Sequence, residues 1–101
     1  MADSVQQVLE ELGQKSPDEI AAFLEAQGIT GRRGSATQCP VANYLYAQTG
    51  KMIRVGPIAY HLVVIGPGIM HGPNHLTPKN VGRFIAGFDD DDYAQLRSVG
   101  G

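Results

Sequence analysis

The sequence predicts one small α+β domain, 1–101: three N-terminal helices, a β-hairpin or three-stranded antiparallel sheet, and one or two C-terminal helices. Three observations lead there. Up to Gly50, apolar residues recur at helical spacing. From Lys51 to Ile65 that period gives way to β-branched and aromatic runs broken by Gly-Pro pairs, and at Val81 helical spacing returns.

Val5, Val8, Leu9 and Leu12 mark the first helix, with Ser4 and Gln7 spaced as a capping box and Gly13 closing it. This helix, within 1–13, is a candidate for the domain periphery, and 98–101 reads as a flexible tail. Ser16 then precedes Pro17 at a first helical position, Glu19 supplies the reciprocal cap, and Ile20, Phe23 and Leu24 form an apolar face ended by Gly28. Gly28 to Gln38 reads as a long ordered loop, of the kind that often carries function. Cys39-Pro40 opens a third helix bearing Val41, Tyr44 and Leu45, closed by Gly50.

Met52, Ile53 and Val55, then Ile58 to Ile65 after Gly56-Pro57, read as a hairpin, and Ile69 to His71 as a third short strand before a Gly72-Pro73-Asn74 turn. Thr77 and Pro78 start a helix whose face is Val81, Phe84, Ile85 and Phe88. Gly82 and Gly87 should weaken it by about 1 kcal/mol each relative to alanine. Asp89 to Asp92 read as the N-cap and first turn of a last short helix through Tyr93 and Leu96, where carboxylates complement the helix dipole.

Composition narrows the setting. At 43% apolar and 18% charged residues the chain is that of a folded domain. Its single cysteine, Cys39, forms no intrachain bridge, which suits a reducing compartment. The start, MADSVQQ, lacks signal-peptide character, and the longest apolar run, Leu62 to Ile65, is too short to span a bilayer, so the expectation is a cytoplasmic protein without a membrane partner.

Charge is distributed unevenly. No aspartate or glutamate lies between Ala26 and Phe88, while Arg32, Arg33, Lys51, Arg54, Lys79, Arg83 and all three histidines do. The acidic residues flank this basic middle on both sides. Without carboxylates the middle has neither a general base nor a metal ligand of that type, but it offers cations to an anionic partner.

The segment AAFLEAQGITGRRGSATQCPVANYL, with the later LTPKNVGRFIAGFDDDDYAQL, resembles small proteins of actinobacteria and their phages in which a G-x-x-G loop, a CP-x-A-x-YL helix and a V-x-x-F-x-x-x-FD helix recur. The resemblance covers about half of the chain and brings no activity with it. It implies that Gly31 to Leu45 forms one structural unit and that the protein has an actinobacterial or phage origin.

Arg32 and Arg33, between Gly31 and Gly34, suit recognition of carboxylate or phosphate if the glycines let the loop present them; the competing readings are a solvated loop or an internal ion pair with the acidic N-terminal helices. Tyr46 should project away from the core face that holds Tyr44, and with Arg54 it completes the expected binding set. Cys39 sits where a helix dipole would lower a thiol pKa, with His61, His71 and His75 as the available bases, yet no cysteine-enzyme signature surrounds it and the favoured reading is a small buried core or cap residue. His71 and His75, with Cys39 or His61, could complete a tetrahedral zinc site; since Gly72-Pro73 between them is a turn, the expectation is no metal and no cofactor.

The leading functional expectation is a non-enzymatic interaction or regulatory protein that binds a protein with an acidic surface through the Gly31 to Gly34 loop and the helix after it. A winged-helix-like DNA-binding regulator comes second, because the element order fits but the third helix, Pro40 to Gly50, holds no Lys or Arg. A cysteine-dependent enzyme comes third. The oligomeric state is left open.

Overall fold

A computed structural model describes residues 5–97 as an α+β domain. In chain order the elements are α1 (Val5–Leu12), α2 (Pro17–Ala26), α3 (Pro40–Thr49), β1 (Met52–Val55), β2 (Ala59–Ile65), β3 (Ile69–His71), β4 (His75–Leu76), α4 (Lys79–Asp89) and a 3-10 turn, Ala94–Leu96.

The helices form where caps and apolar spacing agree. Ser16 caps α2 by accepting from the Glu19 backbone N–H at 3.2 Å, and Glu19 returns the bond to the Ser16 N–H at 2.9 Å. These bonds to Ser16 hold the Glu19 carboxyl below its ordinary value. Cys39 caps α3, its sulfur accepting from the Ala42 N–H, and Gly50 ends that helix in the left-handed conformation at φ 70. Ser4 of the box expected for α1 lies outside the described residues, as does 98–101.

One core joins the elements. Leu9 and Leu12 from α1, Ile20 and Leu24 from α2, Val41 and Leu45 from α3, Ile53 and Val55 from β1, and Val81, Phe84, Ile85 and Phe88 from α4 are all buried together. α1 is thus an integral part of the core rather than an appendage. Leu96 also fills this core, which draws the chain after α4 back alongside Gly31: the Gly31 N–H donates to the Leu96 carbonyl at 2.8 Å.

The sheet has four strands, one more than the largest number expected. β1 runs antiparallel to β2, pairing Ile53 with Leu62 and Val55 with Tyr60. Along the other edge of β2 lie β3, pairing Val63 with His71, and β4, pairing Tyr60 with His75. Gly72 to Asn74 therefore forms a bulge between two segments bonded to the same strand, the Gly72 N–H donating to the Leu62 carbonyl at 2.8 Å. Period-2 alternation puts Ile53, Val55, Tyr60, Leu62, Val64 and Met70 on the face toward the helices, and Met52, Arg54, His61, Val63, Ile65 and His71 on the outer face.

The C-terminal expectation needs correction. Asp89 to Asp92 do not start a helix; Asp89 is the last residue of α4, Asp90 caps its C-terminus, and beyond the acidic run the chain makes only the 3-10 turn. Phe88 is the last buried position on the α4 face, so the helix stays docked up to the first aspartate despite the unfavourable dipole end.

Candidate functional site

The 30–38 loop is tied down from several directions. The Arg32 N–H donates to the Gln38 carbonyl at 2.8 Å, and the Val55 N–H to the Ala36 carbonyl at 2.9 Å. Asn43 on α3 donates from its amide to the Thr30 carbonyl at 2.7 Å and the Gln38 carbonyl at 3.2 Å, clasping both ends of the loop. Nothing in the sequence pattern distinguishes Asn43, because its partners are backbone groups fixed by the tertiary fold.

Gly31 does not serve to present the arginines. It is buried, and a Cβ there would collide with the Pro40 nitrogen, so glycine is required for close approach to the start of α3. Gly34 is the residue that turns, at φ 71, and its N–H donates to Asp89 Oδ1 at 3.0 Å. Arg33 pairs with Asp91 at 3.4 Å, and Arg32 donates to the Gln38 side chain at 3.3 Å. The internal partner is thus the acidic C-terminal segment rather than the N-terminal helices. Both arginines are exposed, and Asp91 is shared with Arg97 at 3.4 Å.

Cys39 is 2% exposed, and burial pushes its thiol up to about 11, against the lowering expected from the helix dipole. Among the described residues no group of three or more His, Cys, Asp and Glu side chains could hold a metal. The histidines separate differently from the H-x3-H expectation. His75 lies against Tyr60, ring centroids 5.4 Å apart, while His61 and His71 meet each other with Nε2 2.9 Å from Nδ1.

The feature absent from the sequence expectations is apolar. Apart from Tyr46, at 60% exposure, every exposed large hydrophobic side chain among the described residues falls between Met52 and Leu76. Val64 is 48% exposed and Met70 70%, on the core-side face of the sheet but beyond the reach of the helices. That overhang continues into a groove of about 470 Å³ lined by Val5, Ile53, Tyr60, Leu62, Pro73 and His75, with Lys51 as its single Lys, Arg, Asp or Glu side chain. From Val55 to Pro78 the sequence holds no such side chain at all, a signal that a search for charge breaks would find. Arg54 stands on the opposite, outer face, exposed and paired across the strands with His61. No helix is long and apolar enough to cross a membrane.

Compared with known proteins, the chain matches no family model, no curated protein and no solved structure.

Proposed function

We propose that the protein is a non-enzymatic interaction module that docks a protein partner on the core-side face of its sheet. The observation that carries this reading is the continuity of that face: it passes from the groove beside α1 to the projecting β2–β3 hairpin without a carboxylate, with Leu62, Val64 and Met70 uncovered. An apolar, concave surface with few polar groups suits an amphipathic helix or extended segment laid along it. Lys51 at the rim favours a segment that brings a carboxylate to that end, while Glu10 of α1 stands beside the Tyr60–His75 end and favours a neutral or basic residue there.

The basic loop does not line this groove; Arg33 faces Asp91 and Arg32 faces Gln38. Tyr46 on α3 is the remaining exposed aromatic available to the partner. A DNA-binding role finds less support, because α3 holds no Lys or Arg and the projecting β2–β3 hairpin holds none either.

Affinity capture from host lysate, with and without nuclease, tests the reading against a Val64→Asp, Met70→Asp double variant. Both residues are exposed, so the variant should fold, which circular dichroism checks; capture of a protein that resists nuclease and is lost in the folded variant supports the reading. Nuclease-sensitive capture, or capture unaffected by the variant but abolished by Arg32→Ala with Arg33→Ala, overturns it.

A further inference from the structure

On the outer face of the sheet, away from the groove, two imidazoles meet. His61 Nε2 lies 2.9 Å from His71 Nδ1, the ring centroids 5.0 Å apart and the planes at 72°. On the other side of His61, Nδ1 lies 3.1 Å from Asn74 Oδ1. An amide oxygen only accepts, so Asn74 holds the His61 proton on Nδ1 and leaves the Nε2 lone pair directed toward His71.

We propose that His61 and His71 form a two-imidazole chelate for a divalent transition metal of square-planar or octahedral preference, Cu²⁺ foremost, with Asn74 as the positioning residue. With metal–nitrogen bonds of about 2.0–2.1 Å, donors 2.9 Å apart subtend about 90° at the metal, the angle of adjacent square-planar or octahedral positions. A tetrahedral ion would need the nitrogens about 3.4 Å apart by the same bond lengths. Imidazole donors in that arrangement suit Cu²⁺ and Ni²⁺, and the Irving–Williams order puts Cu²⁺ first. The open positions go to solvent, because His71 is exposed and no third ligating side chain among the described residues joins the pair.

The backbone that carries the donors is set before any ion arrives, and both rings turn about their side-chain torsions to exchange the shared hydrogen bond for lone pairs aimed at an ion off the N–N line. β3 pairs with β2 at Val63 and His71, β4 pairs with β2 at Tyr60 and His75, and the Gly72 N–H bond to the Leu62 carbonyl fixes the bulge that delivers Asn74. In the metal-free protein the His71 Nδ1–H proton bridges the two rings. On binding, that proton leaves Nδ1 while Nε2 takes one from solvent, so a neutral pair accepts the ion without net proton release. Arg54, the cross-strand partner of His61, opposes the incoming charge, and no carboxylate nearby in sequence offsets it.

Cu²⁺ titrated into the full chain, with glycine as competing ligand and Ni²⁺ and Zn²⁺ in parallel, tests the site. Calorimetry should give one Cu²⁺ per chain, and the electron paramagnetic resonance spectrum of the wild type should carry hyperfine structure from two imidazole nitrogens. His61→Gln or His71→Gln should weaken binding about a hundredfold through loss of the chelate, Asn74→Ala about tenfold. His75→Gln should leave binding unchanged and Arg54→Gln should strengthen it. No stoichiometric two-nitrogen signal in the wild type, binding that survives His61→Gln, or Zn²⁺ binding tighter than Cu²⁺ would each overturn the proposal. The spectrum belongs to the wild type, so it decides even if a variant fails to fold.

Discussion

Arg33 and Asp91 meet at 3.4 Å across a gap of many residues in sequence, and the aspartate does so from a left-handed backbone, φ 71. Two effects oppose each other at this position. The ion pairs to Arg33 and Arg97 are exposed and contribute roughly 0–1 kcal/mol each. The positive φ costs a side-chain-bearing residue about as much.

Replacing Asp91 separates the two effects. Asp91→Ala loses both pairs and keeps the strained backbone, whereas Asp91→Gly loses the pairs and relieves it. The glycine variant should therefore be the more stable of the two by about 1 kcal/mol, and should stay within about 1 kcal/mol of the wild type. Urea denaturation of the three proteins checks this. Equal stability of the Ala and Gly variants would mean that the backbone strain carries no cost.

Gly82 tests local propensity against packing. In an exposed helix, Gly→Ala gains about 1 kcal/mol, but on α4 the added Cβ would collide with the Pro57 carbonyl oxygen, at the turn between β1 and β2. Gly82→Ala should be destabilising by about 1–3 kcal/mol or more, since backbone cannot yield as a side-chain tip can. Gly31→Ala, facing the Pro40 nitrogen, should behave likewise. Thermal melts decide, and a rise in melting temperature for Gly82→Ala would show that α4 shifts freely over the turn.

Sequence patterning reveals what neighbours in sequence decide. The Ser16–Glu19 box, the Cys39 cap and the Gly50 stop depend on residues within one turn of helix, and all are where the spacing puts them. β4 is two residues long and exists only because β2 offers its edge, so His75-Leu76 carries no strand signal of its own. The acidic run points to a helix start on dipole grounds, but its orientation is decided by the distant Gly34 N–H and Arg33. At the candidate site, the arginine loop is visible as composition, while its internal partners, the apolar groove and the His61–His71 contact arise only when distant strands align.

Tyr93 ties the end of the chain to the start of α2: its hydroxyl donates to Asp18 Oδ1 at 2.8 Å, and its ring lies on Phe84 with centroids 5.0 Å apart. Desolvation, then the Asp18 bond, pushes the phenol up to about 12. Tyr93→Phe keeps the ring contact and removes the bond, for an expected loss of about 1 kcal/mol. Asp18→Asn with Tyr93→Phe should cost little beyond Tyr93→Phe alone. A double-mutant cycle measures the coupling, and additive losses would show that the bond contributes nothing.

Cys39 gives a pH signature. Its thiol is buried and ionises near 11 in the folded chain against an ordinary value of 9.0. The neutral form is the one the fold accommodates, so its contribution is complete below pH 9 and is lost as pH rises from there, because the unfolded chain releases the proton first. The decline levels off near pH 11, after at most about 2–3 kcal/mol. Cys39→Ser retains a cap that can accept from the Ala42 N–H and has no group that ionises in this range, so the variant should fold and lack that part of the alkaline decline. Tyrosines also ionise at high pH, and taking the difference between wild type and variant removes their share. In the native wild type the thiol should react with a disulfide reagent at about pH 8 only as fast as the protein opens; rapid labelling without loss of structure would return Cys39 to the reactive groups.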